Sequence, residues 1–235
     1  MADAQQLLRG WMTSLGMSTR LDPVANLIGR YHGPATSEQS SKVLLIGSHL
    51  DTVVNGGRFD GQLGVLLGLG LIELLHQSPV PLPFSIDIIG FCEEEGIRYR
   101  TPFIGSRAIA GTFDSQLLEL VDDCGVKMQS AIDMLRHSAG DCAETVIYKA
   151  EKVIGYVEPH IEQGPVLEIE NLPVGVVNSI IGQTRAMVRF VGKAGHAGTV
   201  PMPSRQDALA AAAEWIGQVE SLARQTTGAV ATVGK

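Results

Sequence analysis

Four short segments of the sequence concentrate side chains that could hold a divalent cation or move a proton. They combine histidine with aspartate or glutamate, a mixture that suits zinc, manganese or cobalt better than calcium. In chain order they are HLDT at 49–52, GGRFDG at 56–61, EEEG at 93–96 and EPHIEQG at 158–164. A fifth segment, GHAGTVPM at 195–202, places another histidine between glycines. Such a set could support metal-assisted hydrolysis.

His49 and Asp51 follow an apolar run, residues 42–47, that predicts a strand buried on both faces. Residues two apart in an extended chain point to the same side, and open α/β sheets bind ligands beyond the carboxyl ends of their strands. A histidine ligand usually needs a carboxylate on its second ring nitrogen, so Asp51 could orient His49. The alternative is a turn residue that caps the next segment.

Asp60 precedes an apolar segment, residues 62–76, that predicts a helix. It could be an ordinary helix cap, or its two oxygens could bridge two cations. Three glutamates, residues 93–95, follow a second predicted buried strand at 84–91. Neighbouring carboxylates repel one another, and a divalent cation would remove that repulsion. One glutamate could then bind the metal while the next acts as general base, the alternative being a solvated turn.

His160 ends a further strand candidate, residues 154–160, and completes a set of His, Asp and Glu residues. His196 lies between glycines, which favours either a backbone fitted around a ligand or a mobile surface loop. We assign structural roles to the remaining histidines, which are His32, His76 and His137.

The pattern of apolar residues predicts an α/β fold. Helices are predicted over 4–15, 62–76, 115–123, 131–137 and 206–222, and strands over 24–31, 42–47, 84–91 and 154–160. Strand, helix and strand within about 50 residues form the βαβ pattern of an α/β sheet. The segment 62–76 is apolar on all sides, which predicts a buried helix. Two strand-like runs, 173–181 and 184–191, begin a β-β-α unit, so we place a domain boundary near 170–182.

Composition excludes several classes of protein. The chain has 235 residues, of which 45% are hydrophobic and 18% charged, with a formal net charge of −7. These values are not those of a disordered chain, and the acidic balance disfavours nucleic acid and anionic membranes as partners. The longest apolar run is too short to span a bilayer, and no signal peptide is recognisable. Three widely spaced cysteines favour reduced thiols and a cytoplasmic location.

The order of these motifs resembles the di-metal amidohydrolases related to aminoacylase and the bacterial carboxypeptidases. More narrowly, it is similar to the branch with allantoate amidohydrolase, N-carbamoyl-L-amino-acid hydrolase and β-ureidopropionase. EPHIEQG, VGVVNSIIGQ at 174–183 and GHAGTVPM carry that narrower likeness, and the resemblance extends over nearly the whole chain. It implies a di-metal exopeptidase-like catalytic domain with a central mixed sheet, residues 1–175, and a smaller α+β dimerisation or lid domain, residues 176–235.

The resemblance also implies two divalent ions, zinc or manganese with cobalt possible, and a role for each matching residue. His49, Asp60 and His160 would bind the first ion, while Asp60 and Glu95 would bind the second. Glu94 would be the general base and Asp51 would orient His49. The two substrate contacts would be Gln163 and, from a partner subunit, His196.

The implied activity is hydrolysis of the ureido or N-carbamoyl C–N bond of allantoate or N-carbamoyl-L-amino acids by a metal-activated water. Resemblance over the segment 96–113 slightly favours allantoate over N-carbamoyl-L-amino acids as the substrate. Family members are longer than this chain, so we expect both domains to be incomplete and the chain alone to be weakly active or inactive. The alternatives are an inactive remnant that only folds or dimerises, and a related di-metal peptidase or deacylase. The expected partners are a small ureido acid and a second copy of the chain, without nucleic acid or membrane.

Overall fold

The two apolar runs predicted as buried strands form neighbouring parallel strands of one sheet. The computed structural model describes residues 1–33, 42–77, 81–139 and 145–234. These residues divide into two units, Met1–Gly175 and Val176–Lys235. The loop around Pro79 and the third cysteine, Cys142, lie outside the described residues.

The first unit contains both strands and helices. The strands are β1 (Ser18–Leu21), β2 (Leu27–Tyr31), β3 (Val43–His49), β4 (Ser85–Phe91) and β5 (Val153–Val157). The helices are α1 (Ala2–Ser14), α2 (Gln62–Gln77), α3 (Ile104–Ala110), α4 (Met128–Ala139) and α5 (Val166–Ile169), with 3₁₀ turns at Ser115–Glu119 and Ala150–Lys152. Elements β1, α3 and α5 were not predicted from the sequence, since four to seven residues give too little pattern to read.

The sheet is mixed, as the resemblance predicted. Its strand order is β1-β2-β4-β3-β5. β3 pairs in parallel with both β4 and β5, whereas β2 pairs antiparallel with β1 and with β4. His49 faces Phe91 across the β3–β4 ladder. The residues that follow β3, β4 and β5 therefore emerge at one edge of the sheet.

Helix α2 crosses from β3 to β4 and buries one face against the sheet. Val65, Leu69 and Ile72 lie on that face. The opposite face exposes Leu67 and Leu74 to more than half of their full extent. The prediction that α2 is buried on all sides is therefore wrong in the described structure. The physical reason is that a sheet covers only one stripe of a helix that lies on it.

The second unit contains α6 (Ala208–Gln225) and a 3₁₀ turn at Met202–Ser204. Helix α6 begins where the Asp207 carboxylate accepts the N–H groups of Leu209 and Ala210. The strands predicted over 173–181 and 184–191 do not form. A strand needs a hydrogen-bonded neighbour, and a lone two-stranded pair is marginal in water. Several side chains there are almost fully exposed, such as Met187 at 97%, although the Phe190 ring packs against Trp215.

A buried polar pair stabilises the turn between β1 and β2. Asp22 accepts the backbone N–H groups of Val24 and Asn26 and the side-chain amide of Asn26, at 2.7–3.0 Å. Both side chains are fully buried. Burial raises the pKa of Asp22 from its ordinary 3.8 to about 6, although the hydrogen bonds from Asn26 and Val24 oppose that rise.

None of the described helices combines the length and the apolar composition that crossing a bilayer requires.

We expect the Asp22 carboxyl to make stability depend on pH. Its folded-state pKa is raised, so its contribution is complete below about pH 3.8 and is lost as pH rises through about 6. The free energy of unfolding of the wild type, relative to that of Asp22→Asn, should fall by ~3 kcal/mol between pH 3.5 and pH 7. Urea unfolding of both metal-free proteins across this range measures the difference. A difference that does not change with pH would contradict the assignment.

Candidate metal centre

Three parallel strands deliver the candidate residues to one edge of the sheet. β3 ends at His49, β4 ends one residue before Cys92 and the three glutamates, and β5 ends three residues before His160. Because β4, β3 and β5 are neighbours in that order, their carboxyl ends meet. The structure thus brings together residues that lie more than a hundred positions apart in the sequence.

His49, Asp60 and His160 form a cluster of potential ligands within the described residues. One ligand atom from each lies within 4.8 Å of the others. Asp60 Oδ1 is 3.9 Å from His49 Nε2 and 3.5 Å from His160 Nε2. The Asp60 side chain is 1% exposed, whereas that of His160 is 28% exposed. The cluster is therefore closed on the Asp60 side and accessible past His160.

In their neutral forms the two imidazoles direct nitrogen lone pairs at each other, and these repel unless a cation lies beside them. His49 Nδ1 is 2.5 Å from the Asp51 carbonyl oxygen, and His160 Nδ1 is 2.7 Å from the Ile161 carbonyl oxygen. A carbonyl only accepts, so each Nδ1 carries its ring proton and each Nε2 of a neutral ring carries a lone pair. The two Nε2 atoms are 3.1 Å apart. This donor set fits a divalent cation held by both Nε2 atoms and Asp60.

Two hydrogen bonds orient the Asp60 carboxylate. Thr52 Oγ1 donates to Oδ2 at 3.0 Å, and Gln163 Nε2 donates to Oδ1 at 2.8 Å. Sequence analysis expected Gln163 to contact substrate. In the structure its amide donates to Asp60 Oδ1, the oxygen that faces the histidines, and the substrate contact stays a prediction.

Asp51 acts through different atoms from those expected. Its carboxylate accepts the backbone N–H groups of Glu94 and Glu95, at 3.0 and 2.9 Å. The contact that orients His49 comes from the Asp51 backbone carbonyl. The expectation that the carboxylate itself orients His49 is thus corrected, and the carboxylate joins the end of β3 to the turn after β4.

The three consecutive glutamates point to three different partners. Both oxygens of Glu94 accept hydrogen bonds from Ser106, one from its backbone N–H at 3.0 Å and one from its hydroxyl. Glu95 Oε1 lies 3.7 Å from His49 Nε2. Glu93 accepts the backbone N–H of Arg98. Burial raises the pKa of Glu94, against the lowering effect of the Ser106 hydrogen bonds, and burial likewise raises the pKa of Glu93.

Two glycines allow the chain to approach these side chains closely. A Cβ on Gly61, whose φ is +81°, would lie 2.3 Å from His49 Nδ1. A Cβ on Gly64 would lie 2.1 Å from the carbonyl oxygen of Pro159, the residue before His160. The first turn of α2 therefore leaves no room for a side chain where it meets the EPHIEQG segment.

His196 belongs to the second unit. Its Nδ1 accepts the backbone N–H of Gly198 at 3.0 Å. It lines a cleft of about 620 Å³ together with Lys193, Gln206 and Asp207. Arg205 donates to the carbonyls of Ala197 and Val200 and so links two parts of the GHAGTVPM segment.

Sequence reasoning missed several residues that support the site. They are Asn26, Thr52, Gly64 and Ser106, together with Ser48 and Tyr156, whose hydroxyls both donate to Glu158. Thr52 lies next to the HLDT aspartate, so proximity in sequence was an available signal. Asn26 and Ser106 carry no such signal, because their partners lie far away in the sequence.

Known proteins resemble this chain along most of its length. Residues 45–234 match the family described as Peptidase family M20/M25/M40. Allantoate deiminase 1 of Glycine max is 43% identical over 94% of this chain and 46% of its own length. An N-carbamoyl-L-amino acid amidohydrolase of Geobacillus stearothermophilus is 41% identical over 99% of this chain and 56% of its own. The chain spans about half the length of the curated relatives it matches.

A solved structure supports the same relationship. It is a hydantoinase/carbamoylase family amidase from Burkholderia ambifaria, with a TM-score of 0.79 and 30% sequence identity. The match covers 100% of this chain and 56% of that chain.

The close approach at Gly64 predicts a specific effect on cation binding. In Gly64→Ala the new methyl group displaces Pro159 and with it His160, so we expect Mn²⁺ affinity to fall roughly tenfold or more. Titration calorimetry on the metal-stripped protein measures this. Gly70→Ala is the matched control, because a Cβ on Gly70 of the same helix meets nothing within 4 Å. Equal Mn²⁺ affinity in the two variants would contradict the role given to Gly64.

Proposed function

The chain belongs to peptidase family M20/M25/M40, and from this premise we propose that it forms the cation-binding part of a di-metal amidohydrolase. The observation that carries the proposal is the pair of imidazole Nε2 atoms 3.1 Å apart, beside the buried Asp60 carboxylate. Two facing lone pairs and one carboxylate at an accessible strand edge are a poor arrangement for stability alone. They become favourable once a divalent cation neutralises them.

We assign a first cation position to His49, Asp60 and His160, and a second to Asp60 and Glu95. The Nδ1 contacts of both histidines and the Thr52 hydrogen bond to Asp60 support the first assignment, because they orient each ligand. Zinc, manganese and cobalt all accept this donor set. When bound, such cations supply Lewis-acid activation of a water molecule and of a substrate carbonyl.

Glu94 is the residue that we assign as general base. It would take a proton from the attacking water and pass it to the leaving nitrogen. Its carboxylate is engaged by Ser106 rather than directed at the histidines, which suits proton transfer more than metal ligation. Burial, which raises its pKa, makes Glu94 a better proton acceptor than an exposed glutamate.

The substrate that we propose is a ureido acid, either allantoate or an N-carbamoyl-L-amino acid. A relative named allantoate deiminase and another named N-carbamoyl-L-amino acid amidohydrolase are each more than 40% identical to this chain. Water would add to the ureido carbonyl, and the C–N bond would break to give the amine, ammonia and carbon dioxide. We assign substrate contacts to Gln163 and to His196 of a partner subunit. The second unit would serve as the dimerisation or lid domain, and a cytoplasmic location stays a prediction.

An inactive protein that only folds or dimerises is the second candidate. It is favoured by the apolar surface that α2 and β5 expose, since Leu67, Leu74, Ile154 and Val157 are all about half exposed or more. Large exposed apolar surfaces indicate a missing partner. A related di-metal peptidase or deacylase would use the same ligands and is separated by substrate.

We expect ammonia release from allantoate or from N-carbamoyl-L-amino acids, dependent on added manganese or zinc. The metal-stripped chain is assayed alone and mixed with the unmatched half of the Geobacillus stearothermophilus relative, with dipeptides as competing substrates. Ammonia release by the chain alone or by the mixture supports the amidohydrolase. Cation binding without release in any mixture would favour the inactive candidate, and preference for a dipeptide would favour the peptidase.

Substitutions of Glu94 and Glu95 should affect turnover and cation binding separately. Glu94→Gln should lower the rate by about 10²–10⁴-fold, because the base is removed, and leave Mn²⁺ affinity unchanged. Glu95→Gln should weaken Mn²⁺ binding, because Glu95 lies 3.7 Å from His49 Nε2. Calorimetry and the ammonia assay on both variants test this, with each variant as the other's control. Loss of Mn²⁺ affinity in Glu94→Gln would contradict the assignment of the base.

A further inference from the structure

Asn26 is a buried side chain that touches none of the candidate ligands, yet all of its side-chain hydrogen bonds are directed to distant parts of the chain or to Asp22. Its Nδ2 donates to Asp22 Oδ2 at 2.7 Å and to the Gly105 carbonyl at 2.9 Å. Its Oδ1 accepts the backbone N–H of Cys92 at 2.8 Å. Because both donors and an acceptor are used, the amide is held in a single orientation.

Cys92 and Gly105 enclose the loop that carries Glu94 and Glu95. Cys92 is the first residue after β4, and Gly105 lies in the first turn of α3. Asn26 therefore ties both ends of this loop, residues 92–105, to the turn between β1 and β2. The approach on the α3 side is tight, since a Cβ on Gly105 would lie 2.4 Å from Asn26 Oδ1.

The loop needs bonds from outside to keep its conformation. No helix or strand lies between Phe91 and Ile104. Glu93, Arg100 and Phe103 have φ between +55° and +66°, a region that strains a non-glycine residue. Such conformations persist only where surrounding contacts enforce them. Asp51 supplies two of those contacts near the middle of the loop, and Asn26 supplies the two at its ends.

We propose that Asn26 is a positioning residue that sets the place of the Glu95 carboxylate relative to His49. The inference rests on the proposed function, because it assigns Asn26 an effect on cation binding that is transmitted through Glu95. Removing its donors breaks the bond that ties the α3 end of the loop to the turn between β1 and β2, and leaves that end held only by its bonds to Glu93 and Glu94. Glu95 then samples positions away from the cluster, while His49, Asp60 and His160 keep theirs.

Asn26→Asp is the sharpest substitution, because it keeps the shape and the acceptor for Cys92. It replaces the donor atom by an oxygen that faces Asp22 Oδ2 and the Gly105 carbonyl. Glu95→Gln is the second substitution of a double-mutant cycle. If Asn26 acts through Glu95, the two substitutions are coupled, whereas a general effect on the fold is additive.

The experiment is titration of Mn²⁺ into the metal-stripped 235-residue chain by calorimetry. We expect Asn26→Asp to weaken binding at the second cation position, which uses Glu95, by about 10–100-fold in the wild-type background and to leave the first position unchanged. In the Glu95→Gln background the same substitution should change affinity by no more than about twofold, the usual error of additivity. Gly70→Ala, which meets nothing within 4 Å, is the control for handling and metal removal.

Equal weakening in both backgrounds would overturn the inference, because Asn26 would then act on the fold as a whole. If Asn26→Asp does not fold, the exchanged pair Asp22→Asn with Asn26→Asp carries the test. The exchange restores a donor between the two side chains but leaves the Gly105 carbonyl unpaired, so binding should stay weak, and wild-type affinity would refute the proposal. If the wild-type chain binds Mn²⁺ and Asn26→Asp binds it equally well, this inference alone is refuted. Wild-type chain that binds no Mn²⁺ refutes the proposed function and this inference together.

Discussion

The facing lone pairs of His49 and His160 are the constraint on which the rest of the site depends. Each ring donates its Nδ1 proton to a backbone carbonyl, so neither can turn its Nε2 away without losing that bond. The carbonyls belong to the residues just beyond β3 and β5, so the sheet sets the distance between the two Nε2 atoms. Backbone register thus creates a repulsion that a cation converts into ligation.

That constraint explains why small residues and buried polar groups surround the site. Gly61 and Gly64 lie against His49 and Pro159, where a side chain would overlap His49 Nδ1 or the Pro159 carbonyl oxygen. Asp60 keeps its orientation because hydrogen bonds reach both of its oxygens in a place with almost no solvent. An unpaired carboxylate would be costly there, so the same bonds that orient the ligand also make its burial tolerable.

The sequence was sufficient to predict the strands that carry the ligands, and for a physical reason. β3 and β4 are buried on both faces and read as apolar runs, so the polar residues that follow each strand stand out. The prediction that α2 is buried on all sides was wrong because its apolar outer face is exposed in the described structure. The strands predicted within 173–191 do not form because an apolar strand pattern alone does not provide a pairing partner. The bonds from the Asp51 carboxylate to the loop after β4, and the contacts of Asn26 across the chain, depend on tertiary geometry that no local pattern encodes.

The supports of the candidate site divide into two kinds, and the division bears on what this chain can do. The first cation position uses strand register and buried hydrogen bonds, all within the first unit. Glu94 and Glu95 depend instead on a loop held by Asp51, Ser106 and Asn26. Cation binding at the histidines can therefore survive changes that abolish proton transfer. An amidohydrolase and an inactive relative would share the first property and differ in the second, so turnover, and not metal content, distinguishes them.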